Sequence, residues 1–181
     1  YCDTEVVLYS YIVWGLKCSE KLNGIYAFAI YDDHRKQIYL SRDRMGVKPF
    51  FYTQLGNTLI FSSEVKAILR HPQIRAELDS EGIWQLLYLS PMRPSNNGIF
   101  KNIYEISPGY HGIFDINGLK LFRYWELKAY ELEDSEDTII EKTRFLLTDS
   151  IQRQLVSDVP LCTFLSGGLD SSIVTSVAKR D

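Results

Sequence analysis

The chain has 181 residues, of which 45% are hydrophobic and 24% are charged, a composition that is typical of folded globular proteins and excludes wholesale disorder. Its 20 Lys and Arg residues nearly balance its 23 Asp and Glu residues, and the formal net charge is −3. Because this balance offers no extended basic surface, we expect neither nucleic acid nor a membrane as a partner, and any bound anion requires a local site.

Cysteine usage and the start of the chain bear on its location. The three cysteines are an odd number, without a C-x-x-C pair or a Cys/His cluster. This usage predicts reduced thiols in a reducing, cytoplasmic compartment rather than a disulfide framework or a zinc site. No apolar run reaches the roughly 18 residues of a membrane span. The chain starts with Tyr1 and has no signal-like segment, so we expect further residues upstream.

The first 125 residues show a helical pattern and then a series of short strands. Apolar residues recur at helical spacing over 4–16, and Asp3 or Thr4 is suited to cap the start of this helix. Dense apolar or alternating runs separated by polar turns follow, which is typical of an antiparallel meander. The predicted strands are 24–32, 37–41, 50–52 and 58–61.

The later part of this region is less regular. Helical patterns cover 63–70 and 79–89, a Pro- and Asn-rich loop is predicted at 91–98, and weak strands lead to Trp125. Arg42-Asp43-Arg44 could pair charges across a domain boundary or form a solvated turn. The three histidines are scattered in sequence and are interpreted as surface or turn residues: His34, His71 and His111.

An acidic stretch at 131–137 predicts a boundary, because its carboxylates favour the start of a following helix. That helix is predicted at about 136–156, and a short buried strand at 161–165 comes next. The strand leads directly into the sequence SGGLDSS (166–172) and a final amphipathic helix.

A strand that turns through glycines into a helix is suited to bind phosphate. Glycine lets the backbone approach the ligand, and the first helical N–H groups point at the loop, where the helix dipole favours an anion. Serine hydroxyls can add donors, and Asp170 can hold magnesium beside the phosphates. A Walker A loop would need a Lys after its last glycine, so the sequence disfavours a kinase- or GTPase-like mechanism.

The chain resembles the glutamine-hydrolysing asparagine synthetases along its whole length and in the same order. SGGLDSS, preceded by SDVP (157–160), resembles the pyrophosphate loop of that family. Upstream segments are similar to its amidotransferase signatures: DTEV (3–6), GIYAFA (24–29), RDRMGVKPFF (42–51), FSSEVKA (61–67) and YW (124–125).

The resemblance implies an α+β protein in two parts. Residues 1–130 would be the C-terminal part of a class II glutamine amidotransferase domain, with a partial αββα sandwich of the N-terminal-nucleophile type. Residues 131–181 would begin an α/β ATP-binding domain of the adenine-nucleotide alpha-hydrolase-like, pyrophosphate-loop type. The implied substrates are glutamine, aspartate and ATP, with ATP and magnesium as cofactors, and the resemblance is compatible with a homodimer.

The resemblance also implies site residues. Asp3 matches the family Asp that receives the α-amino group of glutamine, although its position also suits a helix cap. The nucleophilic Cys of the family is expected upstream, so no catalytic residue is assigned within the chain, Cys2 is interpreted as an ordinary thiol, and the isolated chain is expected to be inactive. Asp170 is also the predicted metal ligand. The predicted ATP and pyrophosphate contacts are Phe164, Ser166, Gly167, Gly168, Asp170, Ser171 and Ser172.

Two other functions stay open at this point. A related adenylating cyclase of the β-lactam-synthetase kind keeps the same scaffold, and its amine nucleophile comes from within the substrate. A non-catalytic homologue would keep the scaffold for assembly alone. An N-terminal Cys in the mature protein would favour a true glutaminase, and failure to form AMP and pyrophosphate would favour the scaffold.

Overall fold

The computed structural model describes residues 2–89 and 98–179, and the chain divides into two compact units, Tyr1–Lys128 and Ala129–Asp181. The first unit begins with consecutive helical segments: α1 (Asp3–Trp14), a 3-10 turn (Gly15–Lys17) and α2 (Cys18–Lys21). The predicted first helix is confirmed, but its predicted caps are wrong. Cys2 occupies the N-cap position, and Asp3 lies in the first turn, where the helix dipole still favours a carboxylate.

The strands of the first unit form two antiparallel sheets. The first sheet has the order β1-β2-β6-β7 and the second the order β4-β3-β5. The four strands predicted between residues 24 and 61 all form, with ends shifted by a few residues. The observed bounds are β1 (Ala27–Asp32), β2 (Gln37–Arg42), β3 (Phe51–Leu55), β4 (Thr58–Ser62), β5 (Tyr104–Glu105), β6 (Tyr110–Asp115) and β7 (Gly118–Arg123).

Two short helices connect β4 to β5. α3 (Val65–Ile68) is shorter than the predicted helix at 63–70. α4 (Ser80–Trp84) begins at Asp79, whose Oδ1 accepts the Gly82 N–H at 2.8 Å, and it continues as a π-helix over Gln85–Leu89. The loop predicted at 91–98 lies outside the described residues, apart from Gly98.

The core of the first unit follows from the alternation of side chains along β2. Tyr39 packs with Tyr11 and Cys18 of the helical segments, whereas the next residue, Leu40, packs with Phe50 and Ile106. Successive side chains of a strand point to opposite faces of a sheet. One face of β2 therefore contacts the helices, and the other contacts an apolar cluster that includes residues of the second sheet.

The second unit contains α5 (Glu136–Arg153) and α6 (Leu169–Ala178). Ser135 caps α5, since its side chain accepts the Thr138 N–H. The strand predicted at 161–165 is wrong, because these residues have no regular structure and Phe164 is 94% exposed. A strand requires a neighbour that completes its backbone hydrogen bonds, and the described part of this unit contains no strand.

Arg42 and Asp43 are buried at the end of β2, which corrects both readings of this charged segment. The Asp43 carboxylate accepts the N–H groups of Met45, Val47 and Lys48 at 3.0–3.1 Å. Arg42 pairs with Glu105 of β5 at 2.9 Å. Its guanidinium also donates to three carbonyls, those of Gly46, Lys48 and Ile106.

Asp43 should therefore be needed for stability. Asp43→Asn replaces one acceptor oxygen by an amide NH2 and leaves at least one partly buried N–H without an acceptor. We expect the free energy of unfolding to fall by about 1–3 kcal/mol, measured by denaturant titration. The exposed Asp33→Asn removes an ion pair with Lys36 and should cost at most about 1 kcal/mol. Equal losses in the two variants would contradict this role.

Candidate functional site

The predicted phosphate loop joins an irregular segment to the start of α6. Gly168 is the N-cap of α6, and Asp170 lies in its first turn. The first N–H groups of an α-helix have no acceptor within the helix, and the helix dipole makes this end favourable for anions. The structure thus retains the loop-to-helix arrangement that the sequence predicted, although the strand before it is missing.

The two glycines of the loop are not equivalent. Gly167 has φ +83°, a left-handed conformation that L-residues rarely adopt. Gly168 has φ −77° and ψ 165°, which any residue can adopt. A methyl group at Gly168 would come no closer than 3.7 Å to its nearest neighbour, the Ser166 Oγ. The conformational requirement for glycine therefore lies at Gly167.

Three serine hydroxyls of the loop form a local hydrogen-bond network. Ser171 and Ser172 donate to the carbonyl of Gly168 at 3.1 and 2.7 Å. The Ser166 and Ser171 hydroxyls are 3.0 Å apart, so Ser166 donates to Ser171. All three hydroxyl hydrogens point into the loop, and each must rotate before it can donate to a phosphate oxygen.

The other residues assigned to this site have different surroundings. The Asp170 carboxylate is exposed beside the network. Phe164 is also exposed, so the structure does not place it as a buried strand residue. Thr175 of α6 donates to the hydroxyl of Thr163 at 3.0 Å, which ties α6 to the preceding segment. A cavity of about 760 Å³ lies between α5, residues 161–163 and α6. No metal-binding cluster of His, Cys, Asp and Glu occurs among the described residues.

Asp3 belongs to the first unit, and its side chain is exposed at the start of α1. No helix in the described part of the chain is long and apolar enough to span a membrane. The three cysteines are free; Cys18 is buried and the other two are exposed. Burial raises the pKa of the Cys18 thiol, which disfavours the thiolate and makes this cysteine a poor nucleophile.

The sequence interpretation missed a polar cluster beneath the helical segments. The Ser19 hydroxyl is 2.5 Å from that of Tyr39 and 2.6 Å from that of Ser41. All three residues are fully buried. The alternation of β2 could have indicated that Tyr39 and Ser41 share a face, but nothing in the local sequence identifies Ser19 as their partner.

His111 was wrongly interpreted as a surface or turn residue. It lies in β6, its ring is nearly parallel to that of Tyr124 at 6.0 Å, and the rings of Tyr39 and Phe122 are 5.4 and 5.7 Å away. Its buried Nδ1 has no hydrogen-bond partner among the residues that the structure describes. Burial lowers the pKa of His111, and the negative charge of Glu20 partly opposes this shift.

Comparison with known proteins supplies the family. Residues 1–125 match the family model of the glutamine amidotransferase domain. The chain belongs to this family. Residues 142–181 match the family model of asparagine synthase. The two matches follow each other in the order that the sequence motifs predicted.

Three curated relatives illustrate the similarity. The chain is 50% identical to asparagine synthetase [glutamine-hydrolyzing] 3 of Bacillus subtilis, over 97% of this chain and 29% of the relative. It is 39% identical to putative asparagine synthetase [glutamine-hydrolyzing] 2 of Methanocaldococcus jannaschii, over 98% of this chain and 35% of the relative. Amidase chry2 of Gibberella zeae is 33% identical, over 98% of this chain and 26% of the relative. The chain thus spans about a third or less of the length of these relatives.

A matched pair of glycine substitutions tests the loop geometry. Gly167→Ala should lower the free energy of unfolding of the second unit by about 1 kcal/mol or more, because alanine is strained at this φ. Gly168→Ala should change it by less than about 0.5 kcal/mol, since both backbone angles and space accept a methyl group. Denaturant titration with circular dichroism measures both. A larger loss in Gly168→Ala than in Gly167→Ala would contradict the loop conformation.

His111 should make the first unit less stable in acid. Its pKa in the folded protein lies below the ordinary value of about 6.5, so the unfolded chain binds more protons as the pH falls through that value. Stability should therefore decrease from about pH 7.5 to about pH 5.5 and continue to fall until the pH passes the folded pKa. In His111→Phe the shift of the thermal midpoint between these pH values should be smaller than in the wild type. The exposed His34→Gln should keep the wild-type shift, and a wild-type shift in His111→Phe would contradict the assignment.

Proposed function

We propose that this chain is part of a glutamine-dependent asparagine synthetase, an ATP-consuming carbon–nitrogen ligase. The reaction converts ATP, aspartate, glutamine and water into asparagine, AMP, pyrophosphate and glutamate. The observation that carries the proposal is the succession of an amidotransferase match and an asparagine synthase match, with the SGGLDSS loop inside the second. The 50% identity to a protein named as a glutamine-hydrolysing asparagine synthetase supports the same conclusion.

The proposed domains are a glutaminase part over 1–130 and the start of a synthetase part over 131–181. In the first part we infer an αββα sandwich of the N-terminal-nucleophile type. The packing of β2 supports it, because this strand contacts helices on one face and second-sheet residues on the other. On the far face of the second sheet, Phe51 packs against Ile68 of the short helix α3, and this contact also supports the proposal.

In the glutaminase part, Asp3 is proposed to bind the α-amino group of glutamine. Its exposed carboxylate is accessible to a cationic group, and an ion pair with an ammonium is the interaction that a carboxylate favours. No catalytic nucleophile is assigned here. We also propose a cytoplasmic location, which the free cysteines support. A homodimer and the absence of nucleic-acid and membrane partners stay predictions.

In the synthetase part, the loop residues are proposed to hold the phosphates of ATP. The residues present fit such a group: the start of α6 attracts anions, the backbone at both glycines is open, and three serine hydroxyls are within reach of the loop. Asp170 would hold magnesium, since exposed carboxylate oxygens are suitable ligands for this ion. Phe164 is proposed to lie against the nucleotide.

When bound, ATP and magnesium would supply a leaving group for the carboxylate of aspartate, which is otherwise a poor acyl donor. The chain's own residues then have two tasks. The N-terminal end of α6 stabilises negative charge on the departing pyrophosphate, and the loop keeps that group oriented. Ammonia from the glutaminase part would displace AMP and form the amide.

One observation keeps a second function in view. The amidase from Gibberella zeae is 33% identical over nearly the whole chain, although its name is not that of an asparagine synthetase. A related adenylating synthetase of the β-lactam-forming kind would retain the loop but would use another carboxylate and amine. An assay of pyrophosphate release from ATP, run with aspartate and with other carboxylates, distinguishes the two functions. Failure to release pyrophosphate with any carboxylate would favour a non-catalytic scaffold.

The charge of Asp170 provides the direct test. In the full-length protein, Asp170→Asn should lower the rate of pyrophosphate release with ATP, aspartate and ammonium by roughly 30- to 1,000-fold. Glutamine hydrolysis should change little, because the substitution lies in the other proposed domain. Asp137→Asn is the matched control, since it removes one carboxylate from the first turn of α5, and it should keep wild-type rates.

Two results would overturn the proposal at different points. A wild-type rate in Asp170→Asn would show that the loop carboxylate has no role in the ATP-dependent reaction. Pyrophosphate release by the wild type with another carboxylate but not with aspartate would replace asparagine synthesis by the related function.

A further inference from the structure

Two tyrosines link distant parts of the first unit through one short chain of hydrogen bonds. The hydroxyls of Tyr26 and Tyr124 are 2.9 Å apart. The Tyr124 hydroxyl is also 2.7 Å from the carbonyl of Arg42, and the Tyr26 hydroxyl is 3.2 Å from the carbonyl of Ser19. The chain of contacts therefore runs from Ser19 through both tyrosines to Arg42.

This chain of hydrogen bonds has more contacts than hydroxyl hydrogens. Two carbonyls can only accept, and each tyrosine has one hydroxyl hydrogen. Three contacts must therefore share two hydrogens, and one contact always lacks a donor. If Tyr124 donates to Arg42, Tyr26 must choose between Tyr124 and Ser19. The pair has at least two hydrogen-bond arrangements, and a small displacement at either end can change which one is favoured.

The two ends of the chain are functionally different. Ser19 lies in α2, the last of the consecutive helical segments that begin with Asp3. Its hydroxyl is bonded to Tyr39 and Ser41, so this end of the helical segments is held on the first sheet. The Ser19 carbonyl contacts the Tyr26 hydroxyl, so the position of these helical segments on the first sheet sets one end of the chain of hydrogen bonds.

Tyr124 is the first residue after β7, which ends at Arg123, and it lies a few residues before the end of the first unit at Lys128. The N–H groups of Tyr124 and Trp125 both lie close to the carbonyl of Gly109, at 2.9 and 3.2 Å, and the Gly109 N–H donates to the carbonyl of Asp43. The following residues, 126–135, are exposed and have no helix or strand. The Tyr124 side chain is thus a contact that fixes where this exposed stretch starts.

We propose that Tyr26 and Tyr124 are a pair of positioning residues that couples the helical segments beginning with Asp3 to the stretch that follows β7 and leads out of the first unit. This inference rests on the proposed function, in which Asp3 binds glutamine and the second unit uses ATP. Neither tyrosine touches a substrate in this assignment. Their effect is on how strongly occupancy of the ATP and aspartate sites changes the binding of glutamine.

Coupling between two sites is a difference in binding free energy. It is measured here as the KM ratio, which is the KM for glutamine without ATP and aspartate divided by the KM with them. In the full-length protein, the KM and kcat for glutamine hydrolysis are determined with and without ATP and aspartate. In the wild type we expect these ligands to change the KM for glutamine. In Tyr26→Phe and in Tyr124→Phe this change should shrink by about 2- to 10-fold, the range that one hydrogen bond supplies. The kcat without ATP and aspartate should stay near the wild-type value.

The control and the double variant separate this role from general stability. Tyr110→Phe removes a hydroxyl from the same sheet that accepts a hydrogen bond from Arg123, the neighbour of Tyr124, and it should keep the wild-type KM ratio. The double variant Tyr26→Phe/Tyr124→Phe should lose no more coupling than either single variant, because both belong to one chain of hydrogen bonds. Thermal unfolding identifies any variant that does not fold, and the remaining single variant then carries the test.

Three results would overturn the inference. In the first, the KM of the wild type for glutamine does not respond to ATP and aspartate. In the second, both single variants keep the KM ratio of the wild type. In the third, Tyr110→Phe reduces the KM ratio as much as Tyr26→Phe and Tyr124→Phe do. In each of these cases asparagine formation by the wild type would leave the proposed function standing. If the wild type forms neither glutamate nor asparagine, the proposed function itself fails.

Discussion

The first unit depends on the burial of a charged segment at the end of β2. Arg42 and Asp43 are almost inaccessible to solvent, although burial of charge is costly unless each charge is fully paired. Here each charge is surrounded by fixed partners. Arg42 pairs with Glu105 and donates to carbonyls, and the Asp43 carboxylate accepts three backbone N–H groups. The loop after β2 can therefore only adopt a conformation that brings all of these groups together.

The same segment connects parts that are distant in sequence. The Arg42–Glu105 pair joins the first sheet to the second. The backbone of Asp43 donates to Tyr26 before β1 and accepts from Gly109 before β6. Because these contacts meet at one position, the start of β1, the end of β2 and the start of β6 are fixed together. Helices and strands elsewhere in the unit are then added to a frame whose geometry is already determined.

Local patterns predicted the parts of this fold whose causes are local. Helix α1 and the strands between residues 24 and 61 follow from the periodicity of apolar residues. The conformation of the SGGLDSS loop follows from Gly167, which adopts a positive φ, and from serines that form hydrogen bonds within the loop. The predictions were wrong where the cause lies far along the chain. The apolar content of 161–165 indicated a strand, but a strand also needs a partner. The charges of Arg42 and Asp43 indicated either a pairing across a domain boundary or a solvated turn, because the carbonyls and amides that surround them are not visible in the local sequence.

The buried hydroxyls show why the first unit retains polar groups in its interior. Tyr39 and Ser41 are two residues apart on β2 and therefore share the face that meets Ser19. A slip of β2 by one residue would turn both hydroxyls away from Ser19 and would bury them among apolar groups without partners. The same slip would move Arg42 away from Glu105 on the opposite face. An apolar cluster tolerates several registers of similar energy, whereas these hydrogen bonds and this ion pair can form in only one. The polar interior therefore fixes the register of β2, and with it the position of the helical segments that present Asp3 to solvent.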